Sequence, residues 1–326
     1  MNFPNFADRL IAAIVSKKSF IVVGLDPHVD KIPAHLWSDK LAESGSQLQT
    51  KSEVILEFNR RIIDSITPYV VAVKPQVAFY ERFGHWGIKA FRETIAYAQT
   101  KGLLVIADAK RGDIGSTAQA YSDAYLGGIA SREGESDTVF DVDALTVNPY
   151  FGSDGIEPFK NDAIRFGKGL FILVRTSNSS AADIQDLDTP RGKLHELVGE
   201  LVHRWGEGSE GQMGYRSIGA VVGATYPKQA RRLREIMPKS FFLVPGYGTQ
   251  GASAADVMPC FNSDGYGAVV NSSRALIFAY LNSPWRDHYS ELDFAQATVA
   301  ATIQMRDDIN AAMKAERHLP WSEQAG

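Results

Sequence analysis

Cysteine is almost absent from this chain: Cys260 is the only one. An internal disulfide and a multi-cysteine metal site are thereby excluded. A single thiol suits a reducing cytosol, with burial as its ordinary role, so a cytoplasmic protein is expected. Basic excess is absent too. The chain has 34 Lys and Arg against 38 Asp and Glu, a net charge of -4, and so offers no nucleic-acid surface. No apolar run approaches the roughly 20 residues that cross a bilayer, so no membrane partner is expected. Met1 to Arg9 lacks a basic start followed by an apolar run and does not read as a signal peptide.

What the chain does have is a recurring alternation. Short apolar runs rich in β-branched residues lie at Phe20–Asp26, Val70–Pro75, Leu103–Lys110, Ala144–Pro149, Leu170–Thr176, Ile218–Thr225, Phe241–Tyr247 and Gly267–Arg274. They are too short for helices, and continuous apolar strands are the mark of a parallel sheet covered on both faces. Between them, segments such as Glu53–Ile66 and Gly87–Thr100 carry helical periodicity. Eight strands alternating with helices in 326 residues argue for a closed (β/α)8 TIM barrel. An open doubly wound sheet is the runner-up. The expected layout is a single domain with its core at about 18–285 and a closing helix at about 294–317. Three excursions are expected to leave the barrel: His28–Lys51 and Ser131–Asp143, polar and irregular, and Ser179–Arg216, with a helix near Lys193–Arg204. Within the last, Gly206–Gly211 reads as a flexible loop.

Nearly every apolar run ends in a polar residue, and in a barrel those ends converge on one mouth. The densest cluster is Asp108-Ala-Lys-Arg-Gly-Asp113. Strand alternation points Asp108 and Lys110 the same way, and charges at the edge of an apolar core are costly to desolvate. With Asp26 and Lys74 the mouth would hold alternating carboxylates and ammonium groups. No strand end supplies His or Cys, so a zinc site is not expected. Two lysines beside the aspartates oppose a divalent cation. Such an array suits a carbanion, because an ammonium can stabilise charge developing on carbon and then protonate it. A Schiff-base lysine is the rival chemistry, though it needs a lysine that can be neutral.

The last two strand ends carry Pro245-Gly-Tyr-Gly-Thr-Gln-Gly251 and Asn271-Ser-Ser-Arg274. The loops after strands seven and eight are the usual phosphate-gripping position of such barrels. Glycines let backbone amides turn toward an anion, and a guanidinium fits phosphate oxygens bidentately. The bland reading is a tight turn and an arginine paired with a surface carboxylate.

Asp108-Ala-Lys-Arg-Gly-Asp-Ile-Gly-Ser-Thr117 resembles the signature of the orotidine 5′-phosphate decarboxylase family in its longer bacterial form. Val23–Pro27, Val73–Phe79, Arg175–Asn178, Pro245–Gly251 and Asn271–Arg274 are similar to its other blocks, in order, over roughly residues 20–280. The resemblance implies metal-free, cofactor-free decarboxylation of orotidine 5′-monophosphate to UMP by a homodimer. It implies that Lys110 protonates C6, that Asp108 presses on the substrate carboxylate and that Lys74 bridges the ribose and Asp108. Asp26 would bind a ribose hydroxyl. Asp113 and Thr117 would reach across the dimer interface. Ser177, with Asn178, would read the pyrimidine edge, while Gln250, Gly251 and Arg274 hold the 5′-phosphate with Tyr247 nearby. Two departures stand out: Ser-Ser after Asn178, where proline is common, and Thr249, where a smaller residue is common.

Each assignment has an ordinary counterpart. Asp26 could cap a helix, Lys74 could snorkel out of the barrel, Ser177 and Asn178 could form a turn, and Thr117 could be a helix cap. Tyr150, Phe151, Phe241 and Phe242 read as core. The alternatives in function are a Mg²⁺-dependent sugar-phosphate decarboxylase or aldolase on the same barrel, which carries a carboxylate where this chain has Lys74, and a non-catalytic nucleotide-phosphate-binding barrel.

Overall fold

A computed structural model describes residues 5–41, 46–130, 136–248 and 251–321. Eight parallel strands close into a barrel in sequence order: β1 (Ile21–Leu25), β2 (Ala72–Pro75), β3 (Leu104–Arg111), β4 (Ala144–Val147), β5 (Gly169–Arg175), β6 (Arg216–Val222), β7 (Ser240–Pro245) and β8 (Ala268–Ser272). β8 returns to β1 with Ile21 opposite Val270 and Val22 opposite Asn271. All eight expected runs form strands that begin within two residues of the expected start; β6 begins two residues early, at Arg216 and Ser217, which are polar yet buried. The β-branched residues are buried on both faces, as a sheet filled inside and covered outside requires.

Helices Gln47–Ile66 and Gly84–Thr100 start earlier than their apolar periodicity suggests. The first is set by Ser46, whose hydroxyl accepts from the amide of Gln49 as an N-cap. Helix Phe6–Lys17 packs against β5: the Phe6 ring meets Phe171 edge-on at 5.9 Å. Arg9 pairs there with Asp143 and donates to the Gly167 carbonyl. Helix Phe294–Ala315 packs on helix Gln47–Ile66 through stacked Phe58 and Phe294 rings, 5.2 Å apart.

The excursions are more ordered than their composition suggests. His28–Lys51 contains helix Ala34–Leu41 and the first turn of Gln47–Ile66. Of Ser131–Asp143, residues 131–135 lie outside the described residues, and Ser136–Asp137 pairs with Ile129–Ala130. The third excursion forms its expected helix at Leu194–Trp205. Gly206–Gly211 forms a hydrogen-bonded turn, with Asn5 donating to the Ser209 carbonyl at 3.0 Å and Ser209 to the Gly206 carbonyl at 2.7 Å. Arg216 donates to Glu210 at 2.8 Å, and the Asp8 carboxylate accepts from the amides of Gln212 and Met213. A partner some 200 residues away supplies the order that local glycine content withholds.

One buried arginine fastens the strands that carry the phosphate-loop sequence. Arg234 donates to the carbonyls of Met237, Ser240, Cys260 and Gly267 at 2.6–3.0 Å. Among the described residues no carboxylate is in hydrogen-bond contact with it, and burial pushes its guanidinium down to about 10.

Candidate active site

The C-terminal ends of β1, β2, β3, β7 and β8 enclose a cavity of ≈ 190 Å³. It is lined by Asp26, Lys74, Asp108, Tyr247, Asn271 and Arg274, with Pro245, Gly246, Ser272 and Ser273 completing the wall. Gly24 allows this closure: a Cβ there would fall 1.8 Å from the Ser273 hydroxyl.

Asp108 is the centre of the charged array. Its Oδ2 accepts from Lys74 Nζ at 2.6 Å and its Oδ1 from Lys110 Nζ at 2.5 Å. The Thr146 hydroxyl, from β4, donates to the same Oδ1 at 3.1 Å. Burial alone would raise the Asp108 carboxyl, but the two ammonium groups outweigh it and hold the group well below the usual carboxylate range. Burial would lower Lys74, yet the charges of Asp108 and Asp26 outweigh it and raise its pKa. Asp108 and Lys74 are therefore both ionised near neutrality. Lys74 does not snorkel; it is 5% exposed.

Lys110 reaches Asp108 by a route that alternation does not describe. Its φ is +48°, the left-handed region that non-glycine residues rarely adopt. The β3–β4 register breaks between Ala107 and Arg111, so that β3 bulges where its last charged residues leave the sheet. Two residues on one strand face still meet, but through the bulge.

The β1 and β8 side looks different. Asp26 Oδ1 and Asn271 Oδ1 are buried acceptors with no hydrogen-bond partner among the described residues. The nearest helical turn after Asp26 begins at Val29, with His28 at its cap, so Asp26 is not a helix cap. Arg274, exposed at the rim, has no ion pair among the described residues. Tyr247 lines the cavity but turns its hydroxyl to Asp308 at 3.4 Å; burial and that carboxylate push the phenol up to about 12.

Other expected site residues stand apart. Gln250 lies outside the described residues. Gly251 has φ +87°, and its amide already donates to the Gly248 carbonyl at 2.8 Å, so it must release that bond to hold an anion. Asp113 is outside the cavity wall; its carboxylate accepts from the amide of Ile114. Thr117 is exposed in the first turn of helix Gly115–Tyr125, whose cap is Ile114, so Thr117 is not the cap. Asn178 makes a turn: it accepts from Thr176 Oγ1 at 2.6 Å and donates to Ser180 at 3.2 Å. Ser177, half-buried, packs so tightly on Gly223 that a Cβ there would lie 2.9 Å from it. Behind it, fully buried Arg175 binds Gln229, Gln185 and Asp186, tying the 182–195 segment to the end of β5.

Phe241 and Phe242 are core, as expected, but Tyr150 and Phe151 are 86% and 49% exposed. The Asn148 side chain accepts from the Tyr150 amide, and Gly152 bonds back to Pro149, so the chain turns outward. Thr146, which binds Asp108, and Asn271, whose Oδ1 has no partner among the described residues, belong to the site without any role assigned to them by the sequence.

Fold and cavity define a class: a (β/α)8-barrel enzyme with a lysine–carboxylate centre at its C-terminal mouth. Comparison with known proteins narrows it. Residues 20–282 match the model of the orotidine 5′-phosphate decarboxylase / HUMPS family. The chain is 43% identical over 309 residues to orotidine 5′-phosphate decarboxylase of Caldicellulosiruptor saccharolyticus, covering 95% of this chain and 99% of that one. It is 42% identical over 304 residues to the Rhodopirellula baltica enzyme of the same name, covering 93% and 98%. The solved OMP decarboxylase of Leishmania donovani superposes with a TM-score of 0.68 at 29% identity, covering 94% of this chain and 98% of that one. The chain belongs to the orotidine 5′-phosphate decarboxylase / HUMPS family.

Proposed function

We propose that this protein decarboxylates orotidine 5′-monophosphate to UMP and CO₂, the last step of de novo UMP biosynthesis, without metal or organic cofactor. The observation that carries the reading is the Lys74–Asp108–Lys110 chain in one mouth with Asp26 and Arg274. Lys74 also separates this reading from the Mg²⁺-dependent one, since it puts an ammonium where that chemistry would want a further carboxylate.

The reaction breaks the bond from C6 to its carboxylate. CO₂ departs, the electron pair stays on C6, and a proton from the Lys110 ammonium completes UMP. The ring offers no sink for that pair, so the enzyme must supply stabilisation on the order of 20 kcal/mol. Asp108, ionised and fixed, disfavours the neighbouring substrate carboxylate. Lys110 stabilises the nascent carbanion and quenches it. Lys74 holds Asp108 in place and faces the ribose, and Asp26 accepts from a ribose hydroxyl through its unpaired oxygen. Arg274, with Gln250 and Gly251 of the preceding loop and Tyr247 beside it, holds the phosphate. Ser177, with Asn178, reads the pyrimidine edge. Binding energy from the phosphate forces the carboxylate into its charged surroundings.

The reading includes a cytoplasmic homodimer in which Asp113 and Thr117 serve the neighbouring site. Its support is the exposed apolar surface around them, Ile114, Tyr150 and Phe151. Mixing Lys110→Ala with Asp113→Ala subunits tests it. Regained activity is expected, and a mixture as inactive as its parents contradicts it.

The reaction itself is tested by the loss of orotidine 5′-monophosphate absorbance, with and without EDTA. Turnover that survives EDTA is expected. Turnover abolished by EDTA favours the Mg²⁺-dependent alternative, and UMP binding without turnover favours a non-catalytic barrel.

A further inference from the structure

The bulge in β3 poses a question of hydrogen bonding. Ala107 pairs with Leu145 and Arg111 with Val147, so three residues of β3 face the single residue Thr146 on β4. Asp108, Ala109 and Lys110 cannot all find ladder partners across one position, and a buried backbone amide left unpaired is costly. Thr146 resolves this with its side chain. Its hydroxyl oxygen accepts from the Lys110 amide at 3.0 Å, and its single proton goes to Asp108 Oδ1 at 3.1 Å. Thr146 is 1% exposed, and valine would keep its shape without its hydroxyl.

We infer that Thr146 is a positioning residue: its hydroxyl clips the bulge of β3 and sets the proton-donating ammonium of Lys110 against the Asp108 carboxylate. The same hydroxyl touches the backbone of one group and the side chain of the other, so one hydrogen-bond relay fixes their relative position. It also holds Lys110 in the left-handed backbone conformation, φ +48°, that brings its side chain back over Asp108. Without the hydroxyl, the Lys110 amide and one carboxylate lone pair lose their partners. The bulge is then free to relax toward regular strand.

This rests on the decarboxylase reading, and its test is arranged so that the two can fail separately. Thr146→Val and Thr146→Ser are compared with the wild-type chain for kcat, KM, UMP affinity and thermal midpoint. Thr146→Val is expected to lower kcat by about ten- to a hundredfold, as loss of a hydrogen bond to a charged group implies. KM and UMP affinity should change less than threefold, roughly the context scatter of one contact. Thr146→Ser, which keeps the hydroxyl, is expected to restore most of kcat. Wild-type kcat in Thr146→Val overturns the inference, as does a loss that serine fails to restore. A parallel loss of UMP affinity and thermal midpoint in both variants also overturns it, since that marks a merely structural threonine. If the wild-type chain leaves orotidine 5′-monophosphate unchanged, the decarboxylase reading itself falls and the positioning role falls with it.

Discussion

The two sides of the barrel mouth are built on opposite plans. On the β2–β3 side every charge has a partner: Lys74, Asp108, Lys110 and Thr146 form one closed chain of contacts of 2.5–3.1 Å. On the β1–β8 side Asp26 and Asn271 present buried acceptors with no partner among the described residues, and Arg274 stands at the rim without an ion pair among them. The contrast separates two physical tasks. Electrostatic stabilisation of a transition state requires groups fixed beforehand, so that none reorients at the moment of reaction. Binding a polar ligand requires groups whose hydrogen-bonding capacity is not already consumed. The wired side therefore suits the reacting carbon, and the open side suits ribose and phosphate.

The sharpest break in that comparison is Lys110→Ala. Removing the proposed proton donor should lower kcat by roughly 10²–10⁴-fold, read from the loss of substrate absorbance. A small change in kcat would place the chemistry elsewhere. Next is Asp108→Ala, which leaves Lys74 buried without its ion-pair partner. A loss of about 3–5 kcal/mol is expected from denaturant unfolding, the range for breaking one side of a buried pair. Arg274→Ala should leave stability within about 0.5 kcal/mol, as for other exposed positions. Its KM should rise about ten- to a hundredfold, the equivalent of a lost charge-assisted contact. An unchanged KM would remove Arg274 from the binding side.

The wired side also predicts a pH signature. The Asp108 carboxyl is lowered in the folded chain, so its stabilising contribution is present above the unfolded value of about 3.9 and lost as pH falls through its folded value. Lys74 is raised, so its contribution is present below about 10.4 and lost as pH rises through its folded value. Between about pH 4 and 10 the contribution should be level. The difference in thermal midpoint between wild type and Asp108→Asn should shrink as pH falls through the acid range. A difference that persists undiminished in strong acid would contradict the assigned charge state of Asp108. The smallest effect is expected for Tyr247→Phe. Its hydroxyl faces Asp308 at 3.4 Å, so kcat and KM should stay within about twofold, as for a weak, partly exposed contact. A large loss would mean that the hydroxyl turns into the cavity when substrate binds.

The eight strands were legible because buried β-branched runs leave a plain periodic trace. Lys74, Asp108 and Lys110 were legible because charges at the ends of such runs have few ordinary explanations. The site was less so wherever its logic lies between elements rather than within one. Alternation predicts that Asp108 and Lys110 meet, but the contact runs through a bulge and a left-handed Lys110. A mid-strand threonine such as Thr146 is unremarkable until the register sets it opposite three residues of β3. Tyr150 and Phe151 read as core on composition, whereas a turn held by Asn148 puts them on the surface. Gly206–Gly211 is tied to Asn5, and the following Gln212 and Met213 to Asp8, by contacts that no local pattern records.

The division between a wired and an open side is tested most directly by the affinity for UMP, measured calorimetrically on Lys110→Ala and Arg274→Ala side by side. Lys110→Ala should bind UMP within a few-fold of the wild-type chain, while Arg274→Ala should bind about ten- to a hundredfold more weakly. The reverse order would contradict the account, because the charge expected to do the chemistry would then be the one that holds the ligand.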